Sequence, residues 1–196
     1  MALPRLVAFS GNTHRPSKTR ALVEAIAAAA ATRAPLDIRR FDIVDAGPGL
    51  GSAWAREALS LPARRVVEAI ENADALIVGT PVYKGAYAGL FKHVFDLVDP
   101  GALANKPVIL AATGGGPRHA LVVEHALRPL FGFFGALSLP TAIYACDADF
   151  QDGVLADDGV RQRISAAAGE LTDILTAERR PVLSFDEVRV ATGQAR

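Results

Sequence analysis

Three stretches of the chain concentrate groups that suit a polar ligand. The first is S-G-N-T-H-R-P-S-K-T at 10–19. It is dense in hydroxyl, amide and cationic groups. Where such a loop runs into a helix, free backbone N–H groups and the positive end of the helix dipole favour a phosphate. Ser10, Thr13, Ser17 and Thr19 add hydroxyl donors, and Arg15 adds charge. The G-x-G-x-x-G spacing of a dinucleotide fingerprint is absent, and so is the G-K-[ST] of a Walker loop. A monophosphate therefore fits better than a pyrophosphate. The plainer reading, in which Ser17 only caps a helix, stands beside it.

The second stretch is T-P-V-Y-K-G-A-Y at 80–87, containing Pro81, Val82, Tyr83 and Lys84. Proline, glycine and two tyrosines describe a shaped loop with exposed backbone, against which a flat heterocycle can lie. A tight turn with two surface tyrosines is the bland alternative. The third is T-G-G-G-P-R-H at 113–119. Gly114, Gly115 and Gly116 let backbone approach a ligand closely, and with Thr113 they offer donors to the carbonyl edge of a ring. A glycine run alone is a weak signal; its weight comes from its company.

Other chemistries find no support. His119 and His125 are six apart, which puts them on different faces of a helix, and no histidine pair at i, i+4 with a carboxylate suggests a metal. A G-x-S-x-G nucleophile elbow is absent. Cys146 reads as a packed small hydrophobe and not a nucleophile. Asp147 and Asp149 beside it read as solvated.

Apolar runs of strand length alternate with segments of helical period. Strands are expected at 5–10, 37–42, 75–80, 107–112 and 137–144. Helices are expected at 17–32, from Pro62 to about 72, and at 88–98, 119–134 and 160–177. Residues 43–60, with Gly47, Pro48, Gly49 and Gly51, read as irregular. Five strands alternating with helices imply an α/β fold: a doubly wound parallel sheet with helices on both faces. The order adopted among the doubly wound options is 2-1-3-4-5. In such a sheet ligands sit at the carboxyl ends of the strands, where all three stretches emerge. Residues 1–178 form one domain in this reading, and 179–196 a mixed, polar tail.

Composition bounds the rest. Of 196 residues, 51% are hydrophobic and 21% charged, an ordinary globular balance. The 21 Lys and Arg cancel the 21 Asp and Glu, so the basic footprint of a nucleic-acid binder is missing and no nucleic acid is expected. The single cysteine excludes an internal disulfide and is compatible with a reducing cytoplasm. The first ten residues lack the pattern of a signal peptide, and no run reaches the roughly 18 apolar residues of a membrane span.

The three loops, in this order, resemble the NADPH-dependent FMN reductase family. The resemblance rests on 10–19, on G-T-P-V-Y-K-G-A-Y-A-G-L-F-K at 79–92, on A-T-G-G-G at 112–116 and on E-H-A-L-R-P at 124–129. It runs from about Val7 to Tyr144. It is strongest to the branch of flavin reductases that serve alkanesulfonate and methanesulfonate monooxygenases. The resemblance implies a flavodoxin-like fold, a homodimer or homotetramer, and use of FMN and NAD(P)H. It implies that Ser10, Arg15, Ser17 and Thr19 hold the FMN phosphate. It further implies that Pro81, Val82, Tyr83 and Lys84 hold the ring and ribityl chain, and that Thr113, Gly114, Gly115 and Gly116 meet the ring's polar edge. At His125 the alkanesulfonate type carries a tyrosine, within a π-helical bulge at the subunit interface; the methanesulfonate type is similar to this chain in carrying histidine. His125 is thus expected at an interface, and it favours the methanesulfonate type.

Because flavin and nicotinamide perform the chemistry, no side chain is expected to act as an obligatory acid or base. The expected partners are the two small molecules and a flavin-dependent monooxygenase, in the cytoplasm. A quinone or azo reductase with retained FMN shares the same loops. A flavodoxin-type electron carrier is disfavoured by the neutral charge balance, since such carriers are usually strongly acidic.

Overall fold

A computed structural model describes residues 2–177. The tail expected at 179–196 lies outside the described residues. The first strand, β1 (Arg5–Ser10), is buried from Leu6 onward. It is followed by α1 (Lys18–Ala31), which buries Leu22, Val23, Ile26, Ala27 and Ala30. Next come β2 (Asp37–Asp42) and a one-turn helix, α2 (Ile43–Ala46). The helix α3 (Leu61–Glu71) carries proline in its first turn, where a missing N–H costs nothing. Further on lie β3 (Ala75–Tyr83), β4 (Ala86–Tyr87), α4 (Gly89–Asp96) and β5 (Pro107–Gly114). The chain continues through α5 (Arg128–Phe133), β6 (Leu137–Ser138) and β7 (Ile143–Cys146). A small antiparallel pair, β8 (Phe150–Gln151) and β9 (Val154–Leu155), precedes the long α6 (Asp158–Thr176).

The parallel sheet runs β2-β1-β3-β5, with β6 and β7 both on β5. This is the expected doubly wound order, with the fifth strand in two pieces. One face packs on α1 and α6, the other on α3, α4 and α5. On the second face a phenylalanine stack ties helices to sheet. Phe91 lies 5.9 Å from Phe9 and 4.9 Å from Phe95, and Phe95 lies 4.9 Å from Phe131, between ring centroids. On the first face α1 lies hard against β3. A Cβ at Gly79 would collide with the Val23 side chain, so only glycine permits this approach.

Four expectations change. The segment 43–60 is not wholly irregular: Asp42 and Asp45 form a capping box that starts α2. The third strand does not stop at Thr80 but runs to Tyr83 and turns back through Lys84 (φ 54°) and Gly85 (φ 86°) into β4. Positive φ at both turn residues matches the twist of a two-residue hairpin. The strand expected at 137–144 breaks, because side chains take its carbonyls. Arg128 donates to Leu139 O at 3.0 Å, Arg163 to Ala142 O at 2.8 Å, and Pro140 has no N–H to give. The helix expected at 119–134 is a 3₁₀ turn (Pro117–His119), a π-helical turn (Val123–Leu127) and then α5.

Candidate flavin site at the carboxyl edge of the sheet

Parallel register sets the site. Ser10, the last residue of β1, lies opposite Asp42 in β2 and Gly79 in β3. The loop that leaves Ser10 therefore begins beside a buried carboxylate. Asp42 is fully buried, and its oxygens accept from the Asn12 amide (3.1 Å), Arg15 Nε (2.7 Å), Arg15 Nη2 (2.8 Å) and Arg20 Nη1 (2.7 Å). Asn12 also donates to His14 O at 2.9 Å and accepts from the Ser10 hydroxyl at 2.5 Å. Burial pushes the Asp42 carboxyl up. The bonds from Arg15, Arg20, Asn12 and the Asp45 amide outweigh burial and hold it at about 2, against an ordinary 3.8.

The loop then enters α1 at Ser17, which is extended (φ −145°) and accepts from the Arg20 amide at 3.3 Å. The first amides of a helix have no carbonyl behind them, so this end of α1 presents donors. A cavity of about 290 Å³ opens here, lined by Asn12, His14, Pro16, Ser17, Lys18, Thr19, Pro81 and Tyr83. It joins the first and second loops. The third is joined by a hydrogen bond between the hydroxyls of Thr19 and Thr113, 2.6 Å apart and both buried. Within the second loop the Thr80 hydroxyl accepts from Ala88 N and donates to Pro81 O, both at 3.0 Å, which closes the base of the hairpin.

The predicted site residues are thus distributed as follows. Ser10 is buried and turned to Asn12. Ser17, Thr19, Pro81 and Tyr83 share the cavity wall. Val82 and Lys84 belong to the hairpin, with Lys84 exposed at its tip. Thr113 ends the buried part of β5, and Gly114, Gly115 and Gly116 run outward from it. Arg15 stands apart. Its guanidinium lies on Asp42 and also on Asp45 at 2.7 Å, so its charge is spent on carboxylates. His125 is exposed in the π-helical turn, six residues beyond the third stretch, in a turn that packs against β4 and β5.

Sequence reasoning missed Asn12, Arg20, Asp42 and Tyr144. Asp42 carries one signal: an acidic residue at the carboxyl end of a strand, on the edge where Arg15 emerges. Tyr144 in β7 donates its hydroxyl to Gly116 O at 2.6 Å. Burial and the neighbouring Cys146, Asp147 and Asp149 push that phenol above its ordinary value, so it stays a protonated donor. Lys18 Nζ reaches Asp147 at 2.8 Å and straps α1 to the loop after β7.

A larger cavity, about 1050 Å³ among the described residues, lies at the opposite edge of the sheet, among Pro4, Arg5, Asp74, Lys106 and Pro107. In an open parallel sheet the helix N-termini and their donors gather at the carboxyl edge instead, which makes the smaller cavity the better ligand site. Among the described residues no cluster of histidine, cysteine and carboxylates suits a metal, and no helix is long and apolar enough to cross a membrane.

The family model for NADPH-dependent FMN reductase matches residues 4–151. The chain is 44% identical to NADH-dependent FMN reductase SfnF of Pseudomonas fluorescens over 92% of its own length and 97% of that protein's. It is 46% identical to an FMN reductase (NADPH) of Pseudomonas aeruginosa, over 84% and 88%. Among solved structures it is similar to an apo NADH:FMN oxidoreductase, at 30% identity and a TM-score of 0.78, over 91% of this chain and 92% of that one.

The Asp42 knot sets an acid dependence. Its folded pKa lies below the unfolded value, so its contribution is present above about pH 4 and is lost as pH falls toward 2. By linkage it is worth about 2 kcal/mol. In Asp42→Asn, urea unfolding at pH 7 will show a loss of about 3 kcal/mol, since Arg20 and Arg15 lose their buried partner. The variant's stability will also change less than the wild type's between pH 4 and 2.

Proposed function

As the chain belongs to the NADPH-dependent FMN reductase family, we propose that it is an NAD(P)H:FMN oxidoreductase which takes FMN at the carboxyl edge of its sheet. The observation that carries this placement is the cavity where the amino end of α1 meets the hairpin loop, with Thr19 and Thr113 bonded behind it. The residues fit the ligand. Ser17, Thr19 and the first-turn amides of α1 suit a phosphate. Pro81 and Tyr83 give an apolar and aromatic wall, and the glycines at 114–116 expose backbone donors.

FMN, when bound, supplies a ring that accepts a hydride from the nicotinamide. The protein's part is to bind, orient and exclude water. Ser17 and Thr19 hold the phosphate, with Ser10 behind them in support of Asn12. Arg15 acts by holding the loop on Asp42 and Asp45. Val82, Tyr83 and Lys84 hold the ring and ribityl chain, and Thr113, Gly114, Gly115 and Gly116 meet the ring's polar edge. No side chain needs to move a proton for the transfer.

Reduced FMN passes in this proposal to a flavin-dependent monooxygenase of sulfonate metabolism, in the cytoplasm. The chain assembles with itself as a homodimer or homotetramer. Supporting this, Leu121 and Phe133 are 64% and 72% exposed on either side of the π-helical turn that carries His125. Such side chains gain about 25 cal/mol for each Å² of apolar surface that a second copy covers.

Two outcomes are expected. NADH or NADPH oxidation by the purified full chain will be negligible alone and will rise saturably with added FMN. A protein that arrives yellow, ignores added FMN and needs a quinone would be the retained-flavin reductase instead. Ser17→Ala will raise the KM for FMN about tenfold, for one lost hydrogen bond to a charged group. Riboflavin, which lacks the phosphate, will be used equally by both proteins; an equal loss with riboflavin would move the phosphate away from Ser17.

A further inference from the structure

We propose that Tyr144 is a positioning residue for flavin, acting through the glycine loop it holds. The inference rests on the flavin-reductase reading and adds a residue outside the three loops. Tyr144 lies in β7, the edge strand, opposite Ala112 of β5. Its neighbours Ile143 and Ala145 are buried on the face covered by α1 and α6. Alternation turns Tyr144 to the other face, where it packs half-buried against the second core. From there its hydroxyl reaches the carboxyl edge and donates to Gly116 O at 2.6 Å.

The hydroxyl also lies directly against Gly114. A Cβ there would collide with the phenol oxygen, whereas the next ring atom stands at 3.4 Å, an ordinary contact. The loop is therefore folded around the phenol, and the absence of a side chain at Gly114 lets it do so. One end of the loop is tied to α1 through Thr113 and Thr19, the other to β7 through Gly116 and Tyr144. Between the two ties run the backbone amides assigned to the polar edge of the ring. Of these two ties, the Tyr144 bond is the one beyond those amides, ahead of the 3₁₀ turn at Pro117–His119. Without it they remain on the loop but lose the bond that closes it over the phenol, and more of their ordering falls to the ligand.

The test uses the full chain, with FMN fluorescence titration, steady-state kinetics and thermal unfolding on Tyr144→Phe, Gly114→Ala and the double variant. Tyr144→Phe is expected to raise both Kd and KM for FMN about tenfold, the weight of one hydrogen bond. At saturating FMN its kcat stays within about twofold, and the flavin-free unfolding midpoint stays within a few degrees of wild type. Gly114→Ala weakens FMN binding on its own, and costs less in the Tyr144→Phe background, where the colliding oxygen is gone. Wild-type affinity in Tyr144→Phe overturns the proposal. So does a fall in kcat and unfolding midpoint at constant Kd, which marks a purely structural tyrosine. An equal cost of Gly114→Ala in both backgrounds also overturns it. If the wild-type chain binds no FMN, the flavin reading falls and this proposal with it.

Discussion

Everything at the ligand edge hangs on one buried carboxylate. Asp42 has no exposed surface, and an ionised group in that position is tolerated only with full compensation. Asn12, Arg15 and Arg20 supply it, and all three lie on the loop after β1 or on the first turn of α1. The loop thus takes the shape that satisfies Asp42. That shape brings Ser17 to the cap position and turns the free amides of α1 toward the hairpin after β3. The order of causes is plain: register puts Asp42 beside Ser10, burial forces it to recruit donors, and the recruited donors fix the cradle.

Two further ties extend this frame across the sheet. The Thr19–Thr113 pair crosses from α1 to β5, and the Tyr144–Gly116 bond crosses from β7 to the loop after β5. Both join segments about a hundred and about thirty residues apart respectively, so neither could form before the strands are in register. Edge loops held in this way meet a ligand with less ordering left to do, which favours affinity without any gain in contact area.

The architecture was largely legible in the sequence because its signals are local. Continuous apolar runs such as 75–80 and 107–112 mark strands covered on both faces, and the period of Leu22, Val23 and Ile26 marks α1. The three loops stood out by composition at one sheet edge. What stayed hidden depends on partners distant in sequence. Asp42 looks like any acidic strand end until the register sets it against Arg15 and Arg20. The split of the last strand follows from Arg128 and Arg163 taking the Leu139 and Ala142 carbonyls, which no periodicity records. The β4 turn needs Lys84 at positive φ, an uncommon conformation for lysine, so composition suggested a loop there. In the sequence Tyr144 is only the end of a strand, because its role lies in where its hydroxyl arrives.

The central claim is one of place: three loops at the carboxyl edge receive one flavin, and the larger cavity at the opposite edge does not. Hydrogen–deuterium exchange of the full chain with and without FMN tests this most directly. Added FMN is predicted to slow exchange together in peptides covering 10–19, 80–88 and 113–119, and to leave those covering 73–75 and 104–107 unchanged. Protection at 73–75 and 104–107 with the three loops unaffected would contradict the account.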